Sequence, residues 1–264
     1  MRFAFRSALA LVAAVLPLLV AAPANTLSFG PIRYDALGDS YASGAGALPY
    51  DGPTCGRSVA APARLLNGRV KVRLDDFVAC GGARVRDIAG QTAALDARTD
   101  LVTVSIGGND VFWNDAVTAC ITRDETACRA AIERSRVVVD DELPAMLDSA
   151  YTQIREAAPN ARVLVTGYAR LFSPEFGDAV YAFGTVTVAE QRMMNEGADI
   201  LNSVIRAAAE RHRFAFVDVT QRFLGHGVNA KKPWILGIDG AAPFHPNRPG
   251  YRAYASAITA RVKR

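Results

Sequence analysis

Five short apolar runs alternate with longer amphipathic segments along the chain. Most of the runs lack strict polar alternation, as expected of strands that are buried on both faces of a parallel sheet. The predicted strands are Ile32–Leu37, Val70–Val78, Leu101–Ile106, Arg162–Thr166 and Phe214–Val219. The predicted helices are Ser58–Leu66, Val85–Leu95, a long stretch Arg129–Ala157, Val188–His212 and Pro249–Val262. This alternation predicts an α/β fold, a three-layer α/β/α domain around a parallel sheet of about five strands.

The N-terminal segment has a different character from the rest of the chain. Arg2 and Arg6 precede an apolar run from Ala8 to Val20, and small residues follow up to Ala24. This order predicts a secretory signal peptide over residues 1–24, because the apolar run is too short to cross a bilayer. An uncleaved anchor is the alternative interpretation. The signal peptide predicts a protein that is secreted to the extracellular space or associated with the cell envelope.

Composition and charge narrow the class of the remaining chain. Of its 264 residues, 50% are hydrophobic and 21% are charged, which is typical of a globular protein. Residues 25–264 contain no repeat, linker or further apolar segment long enough for a membrane, so we expect one soluble domain, without stable membrane insertion, that is a monomer. The net charge of +4 with no run of arginines gives no indication of nucleic-acid binding.

The four cysteines fall into two sequence-local pairs. An even number of cysteines in an exported chain predicts disulfides, and three pairings are possible. Cys55–Cys80 and Cys120–Cys128 are favoured, because each would close one loop-rich segment. A zinc site is the competing interpretation, but no Cys-x-x-Cys spacing is present and the three histidines are scattered. We therefore expect no metal and no cofactor.

Polar residues and glycines cluster where the predicted strands end. Gly38-Asp39-Ser40 follows the first strand, Cys80-Gly81-Gly82 the second and Gly107-Gly108-Asn109-Asp110 the third. Phe244-His245-Pro246-Asn247 precedes the last helix. Ligands of open α/β sheets bind beyond the carboxyl ends of the strands. The pattern thus brings a hydroxyl, glycine amides, a carboxamide and an imidazole to one edge of the sheet.

These groups fit nucleophilic catalysis on a carbonyl. The Ser40 hydroxyl needs an adjacent base, and the imidazole of His245 is suited to that role at neutral pH. The backbone N–H groups of Ser40 and Gly82 and the Asn109 amide can stabilise an oxyanion. In the competing structural interpretation, Ser40 caps a helix, and Gly82 and Asn109 are ordinary turn residues. Phe112-Trp113 either packs in the core or lines an acyl-binding wall.

Four sequence blocks carry a family resemblance. The blocks "GDSY", "CGGA", "IGGND" and "FHPN..GY" resemble, in the same order, the signature blocks of the SGNH hydrolases, also called the GDSL lipase/esterase family, in particular its secreted actinobacterial branch. The resemblance implies a flavodoxin-like sheet, Ser40 as the nucleophile and His245 as the base. It also implies an oxyanion hole of Ser40, Gly82 and Asn109, and metal-free hydrolysis of carboxylic esters, with an ester or lipid as the substrate.

Two positions depart from the family pattern. Tyr41 replaces the leucine of the family name, and Ala242 stands where the usual aspartate precedes the histidine by three residues. The branch that this chain resembles can use a backbone carbonyl there. We therefore expect a Ser40–His245 dyad whose imidazole is oriented by the carbonyl of Ala242, with Asp239 as the alternative partner.

Four other functions compete with the hydrolysis of lipid esters. An acyltransferase or a carbohydrate O-deacetylase would use the same serine. A secreted, non-catalytic binding protein would use the same fold without the chemistry. A phosphate cradle for a nucleotide or flavin is disfavoured, because the glycine spacing is wrong and the lysine of a P-loop is missing.

Overall fold

Seven strands and eight helices lie in the part of the chain that the computed structural model describes, residues 30–122 and 124–263. The strands are β1 (Ile32–Gly38), β2 (Val72–Phe77), β3 (Leu101–Ser105), β4 (Arg162–Thr166), β5 (Ala179–Tyr181), β6 (Gly184–Val186) and β7 (Ala215–Val217). The helices are α1 (Ser40–Ser43), α2 (Pro62–Leu66), α3 (Ile88–Gln91), α4 (Trp113–Thr122), α5 (Glu125–Asp141), α6 (Leu143–Ala157), α7 (Val188–Arg211) and α8 (Arg248–Val262). The predicted signal peptide, residues 1–24, and the predicted start of the domain lie outside the described residues.

Five of the strands form one parallel sheet in the order β2-β1-β3-β4-β7. This is the flavodoxin-like order, in which the chain steps outward in one direction from β1 to β2 and in the other from β1 to β3. The predicted three-layer α/β/α fold with a five-stranded parallel sheet is confirmed. The reversal places a crevice at the carboxyl ends of β1 and β3, where ligands of this topology bind.

Helices cover both faces of the sheet. α2 packs against α8, whereas α3, α6 and α7 pack in sequence on one another. Right-handed crossovers place these two groups on opposite faces. β3 is buried at every residue, which explains why its sequence lacks polar alternation.

The helical segments differ from the prediction at one long stretch. The predicted helix Arg129–Ala157 is two helices, α5 and α6, which are separated at Glu142. Pro144 lies in the first turn of α6, where its missing N–H costs no helical hydrogen bond. The proline therefore marks the start of the second helix.

Two segments that the sequence analysis assigned no regular structure contain short elements. α4 contains Cys120, and its pattern of threonine, alanine and valine gives only a weak helical signal. β5 and β6 form an antiparallel hairpin in the segment around Phe183, and β6 packs against α4. Both elements depend on contacts with the rest of the protein.

The cysteines form the two pairs that the sequence favours. Cys55 is joined to Cys80 with an S–S distance of 2.00 Å, and Cys120 to Cys128 with one of 2.08 Å. The first pair ties the segment after α1 to the end of β2, and the second joins α4 to α5. Among residues 30–122 and 124–263, no helix is both long and apolar enough to cross a membrane.

Candidate active site

A sharp turn between β1 and α1 carries Ser40. Gly38 has a φ of +126°, and a Cβ atom there would lie 2.3 Å from the carbonyl oxygen of Ser105 on β3, so only glycine fits. The next residue, Asp39, donates its backbone N–H to that oxygen at 2.8 Å, and its Oδ1 accepts the N–H of Tyr41 at 2.9 Å. The two bonds fix the turn that presents Ser40 at the carboxyl edge of the sheet.

Ser40 and His245 meet across 205 residues of sequence. The Oγ of Ser40 lies 2.7 Å from the Nε2 of His245. The Nδ1 of the same ring lies 2.9 Å from the carbonyl oxygen of Pro243. A carbonyl only accepts, so Nδ1 carries the proton and Nε2 is free to accept the proton of the serine hydroxyl.

The group that orients His245 differs from the prediction. The carbonyl of Ala242 accepts the backbone N–H of His245 at 3.2 Å, in a tight turn, and the ring bonds instead to the carbonyl of Pro243. Phe244, between Pro243 and His245, adopts a left-handed conformation with a φ of +61°. Asp239 is exposed, and within the described residues no hydrogen bond or ion pair joins it to His245. The orienting group is thus a backbone atom one residue later than expected.

Aromatic rings enclose the imidazole of His245. The ring of Tyr41 lies 5.1 Å away and that of Trp113 6.1 Å away, measured between ring centroids. Burial lowers the pKa of His245 below its usual 6.5, although the hydrogen bond of the ring with the carbonyl of Pro243 opposes this shift. The imidazole is therefore neutral at pH 7, as a base must be.

The candidate oxyanion donors come from two further loops. The Nδ2 of Asn109 donates one hydrogen to the carbonyl of Ala83 at 2.9 Å, and its Oδ1 accepts from the Nε1 of Trp113 at 3.5 Å. The second Nδ2 hydrogen remains for a ligand. Gly82 precedes Ala83, is exposed and has a φ of +80°. Asn109 and Gly82 are thus linked through one hydrogen bond.

A cavity of about 230 Å³ is lined by Ser40 and Asn109. Its walls are mainly apolar side chains from α4, α5 and α7, including Ala116, Ile132, Met194 and Leu201. Trp113 lines this cavity, whereas Phe112 is 47% exposed and does not. Such an apolar cleft with a few convergent polar groups is typical of a site for a hydrophobic ligand.

Several residues of the site have no recognisable pattern in the sequence. Tyr168, which follows β4, lines the cavity floor, and Pro243 supplies only its backbone. The cavity walls on α5 and α7 come from ordinary amphipathic helix positions. Only the position of Tyr168, just after the carboxyl end of a central strand, could have indicated that it belongs to the site.

The match to known proteins places this site in a family. The profile of the GDSL-like Lipase/Acylhydrolase family matches residues 36–253. The chain belongs to this family of ester hydrolases. It is 36% identical over 227 residues to "Lipase 1" of Streptomyces coelicolor. The aligned region covers 82% of this chain and 81% of that protein.

Two solved structures share the fold over nearly their whole length. The extracellular lipase of Streptomyces rimosus is 35% identical, with a TM-score of 0.79 over 86% of this chain and 98% of the other. Phospholipase A1 of Streptomyces albidoflavus NA297 is 34% identical, with a TM-score of 0.80 over 88% and 99% of the two chains. The chain is therefore similar to secreted and phospholipid-cleaving enzymes alike.

Proposed function

We propose that this protein hydrolyses carboxylic esters of acyl lipids through a Ser40–His245 dyad and a covalent acyl-enzyme. The observation that carries the proposal is the 2.7 Å contact between Ser40 Oγ and His245 Nε2 at the end of an apolar cavity. A serine hydroxyl activated by a neutral imidazole is the requirement for acyl transfer at neutral pH. Family membership supports the same reaction class.

In the first step the Oγ of Ser40 attacks the ester carbonyl carbon while His245 Nε2 takes the hydroxyl proton. The imidazolium then gives this proton to the leaving alcohol, and the acyl group stays on Ser40. Water repeats the sequence and releases the carboxylic acid. The carbonyl of Pro243 keeps the Nδ1 proton in place throughout, because it accepts a hydrogen bond at 2.9 Å.

The negative charge that develops on the carbonyl oxygen needs donors. The free hydrogen of Asn109 Nδ2 is the side-chain donor, and the backbone N–H groups of Ser40 and Gly82 complete the set. Each such donor is worth about 10²–10³ in rate. A carbonyl orients the imidazole without adding a full negative charge, so these donors carry a larger share of catalysis than they do in a triad with a carboxylate.

The cavity favours an acyl chain over an acetyl group. Its apolar walls would remove a hydrocarbon chain from water, at about 0.8 kcal/mol per buried CH₂. The related proteins are named as lipases and as a phospholipase A1, which supports a lipid ester. The predicted signal peptide, the two disulfides and the extracellular lipase among the relatives support secretion.

A fluorophosphonate probe and a substrate panel test the proposal together. Wild type should be labelled at Ser40, and Ser40→Ala should lose both labelling and hydrolysis while it still unfolds cooperatively. Ser203→Ala, which removes an exposed serine on α7, is the matched control and should behave as wild type. A non-catalytic binding protein would take up no probe.

The panel separates the remaining reactions. It compares triglycerides, phosphatidylcholine, p-nitrophenyl esters of increasing chain length and acetylated xylooligosaccharides, with and without an added acceptor alcohol. Preference for longer acyl chains and release of free acid are expected. Faster turnover of the acetylated sugar would make the protein a deacetylase, and product transfer to the alcohol in preference to water would make it an acyltransferase.

A further inference from the structure

Three strand ends meet at the hydroxyl of Tyr168. This residue follows β4, and its side chain is almost fully buried, with the whole residue 7% exposed. Its Oη accepts the backbone N–H of Gly108 at 2.9 Å and donates to the Oδ2 of Asp39. Asp39 follows β1, and Gly108 lies just beyond β3. One hydroxyl therefore joins the turns that leave β1, β3 and β4.

The tyrosine is itself held rigidly. Asn202 on α7 accepts the backbone N–H of Tyr168 and donates to its carbonyl, both at 2.8 Å. A Cβ atom at Gly108 would lie 3.0 Å from the ring carbon Cζ, so the ring leaves no room for a side chain there. The ring of Tyr41 packs edge-on against that of Tyr168 at 5.1 Å. These contacts hold the hydroxyl of Tyr168 in one position.

The two partners of this hydroxyl adjoin the two halves of the site. Asp39 directly precedes Ser40, and Gly108 directly precedes Asn109. Asp39 is 1% exposed, and its burial raises its pKa to about 6, whereas the bond from Tyr168 lowers it. At pH 7 the carboxyl is ionised, and a charged acceptor makes the bond from Tyr168 stronger than one between neutral groups. The bridge therefore resists a change in the spacing of the two turns.

We propose that Tyr168 is a positioning residue for ester hydrolysis: its hydroxyl sets the distance between the nucleophile turn at Ser40 and the oxyanion-hole turn at Asn109. The proposal rests on the function proposed above. Tyr168 acts through its two neighbours, because its hydroxyl is already saturated by Asp39 and Gly108. Its effect should appear in the transition state, where the spacing of Ser40 and Asn109 decides how well the oxyanion is bound.

Tyr168→Phe tests the bridge, because it removes the hydroxyl and keeps the ring. On p-nitrophenyl butyrate we expect kcat to fall about 10- to 100-fold and KM to stay within about twofold of wild type. Tyr34→Phe is the matched control. Tyr34 is fully buried and its hydroxyl also joins β1 to β3, through Thr103 at 2.6 Å, but it lies away from the site. It should lose stability and keep its kcat.

A double-mutant cycle separates positioning from general loosening. The Asn109→Ala variant lacks the amide donor, so the distance between the Ser40 and Asn109 turns no longer affects how the oxyanion is bound. In this background Tyr168→Phe should therefore lower kcat by less than about threefold. The same factor in both backgrounds would mean that the hydroxyl acts on the fold as a whole, and the proposal would be overturned. So would a Tyr168→Phe variant whose kcat matches that of Tyr34→Phe.

A second variant keeps the test decisive when Tyr168→Phe does not fold. Asp39→Asn retains an acceptor for the Tyr41 N–H and removes the charge that binds Tyr168. Its kcat should fall at least about fivefold with KM unchanged, and a kcat within twofold of wild type would refute the bridge. Failure of the proposed function gives a different result, because wild type itself would then show neither probe labelling nor hydrolysis.

Discussion

The hydroxyl of Tyr41 donates a hydrogen bond of 2.8 Å to the carbonyl of Phe244, and so joins the residue after Ser40 to the residue before His245. Tyr41 is 5% exposed, and its ring also packs against His245. A leucine at position 41, as in the family name, has no group that can make this bond. The tyrosine thus ties α1 directly to the loop that carries the imidazole.

We expect Tyr41→Phe to lower kcat about three- to tenfold, because the loop around Phe244 loses its anchor while the ring contact with His245 remains. The carbonyl left without a donor should also lower the free energy of unfolding by about 1–3 kcal/mol. Steady-state kinetics and urea unfolding measure the two effects. An unchanged kcat with reduced stability would show that the bond serves the fold alone.

Asn109→Ala should lower kcat by about 10²–10³ with little change in KM, because the amide binds the oxyanion and not the ground-state ester. Asn229→Ala provides a comparison, since Asn229 is another loop asparagine with several backbone partners but lies away from the site. It should affect stability more than kcat. A rise in KM alone for Asn109→Ala would make this residue a substrate-binding group.

The pH dependence of hydrolysis should report His245. Burial lowers its pKa, and only the neutral ring accepts the serine proton, so kcat/KM should rise with pH through a midpoint below 6.5. A pH profile with p-nitrophenyl butyrate measures the midpoint. Asp39 titrates at about 6 and falls in the same range, so the profile of Asp39→Asn identifies the group. A midpoint that disappears in Asp39→Asn would assign the acid limb to Asp39.

Burial of Asp39 should also make stability depend on pH. Its pKa is raised from 3.8 to about 6, so between these values the native state binds more protons than the unfolded state, and this group's contribution to stability falls as pH rises. The full shift corresponds to about 3 kcal/mol. Because the unfolded carboxyl is already partly ionised at pH 4, urea unfolding at pH 4 and pH 7 should show that wild type loses about 2.5 kcal/mol relative to Asp39→Asn. An equal difference at both pH values would contradict the raised pKa.

The two disulfides should contribute unequally to stability. Their sequence separations of 25 and 8 residues correspond to about 3.5 and 2.5 kcal/mol in the loop-entropy description. Cys55→Ser/Cys80→Ser should also lower kcat, because the carbonyl of Cys55 accepts the N–H of Gly81 at 2.8 Å, next to Gly82. Cys120→Ser/Cys128→Ser is the control for a lost crosslink remote from Gly82. Equal kcat values in both variants would show that the Cys55–Cys80 disulfide has no specific effect on hydrolysis.

The central strands were predictable from sequence because burial on both faces leaves a direct trace in composition. Leu101–Ser105 is buried at all of its residues and contains no charged residue. The groups of the site were also predictable as a set, because glycines and polar residues recur after three predicted strands and before the last helix. Ser40 and His245 lie together as expected from their residue types and their place in the chain.

Helix α4 and the partner of His245 were not predictable for a common physical reason. α4 has a weak intrinsic preference for helix, and its contacts with α5 and the bond from Cys120 to Cys128 stabilise it. The choice between the carbonyls of Ala242 and Pro243 depends on the left-handed backbone of Phe244. Neither tertiary contacts nor a single unusual φ leaves a pattern in the sequence.

The carbonyl of Pro243 gives the site an unusual genetic property. Every amino acid carries a main-chain oxygen, so no codon change at this position deletes the atom that holds the imidazole. A scan of side chains from residues 239 to 243 would therefore leave in place the carbonyl that we propose as the third member of the catalytic group. Only a change that redirects the peptide plane, such as one at Phe244, or a synthetic backbone analogue would reveal its contribution. In this respect, the proposed dyad depends on an atom that point mutation does not reach directly.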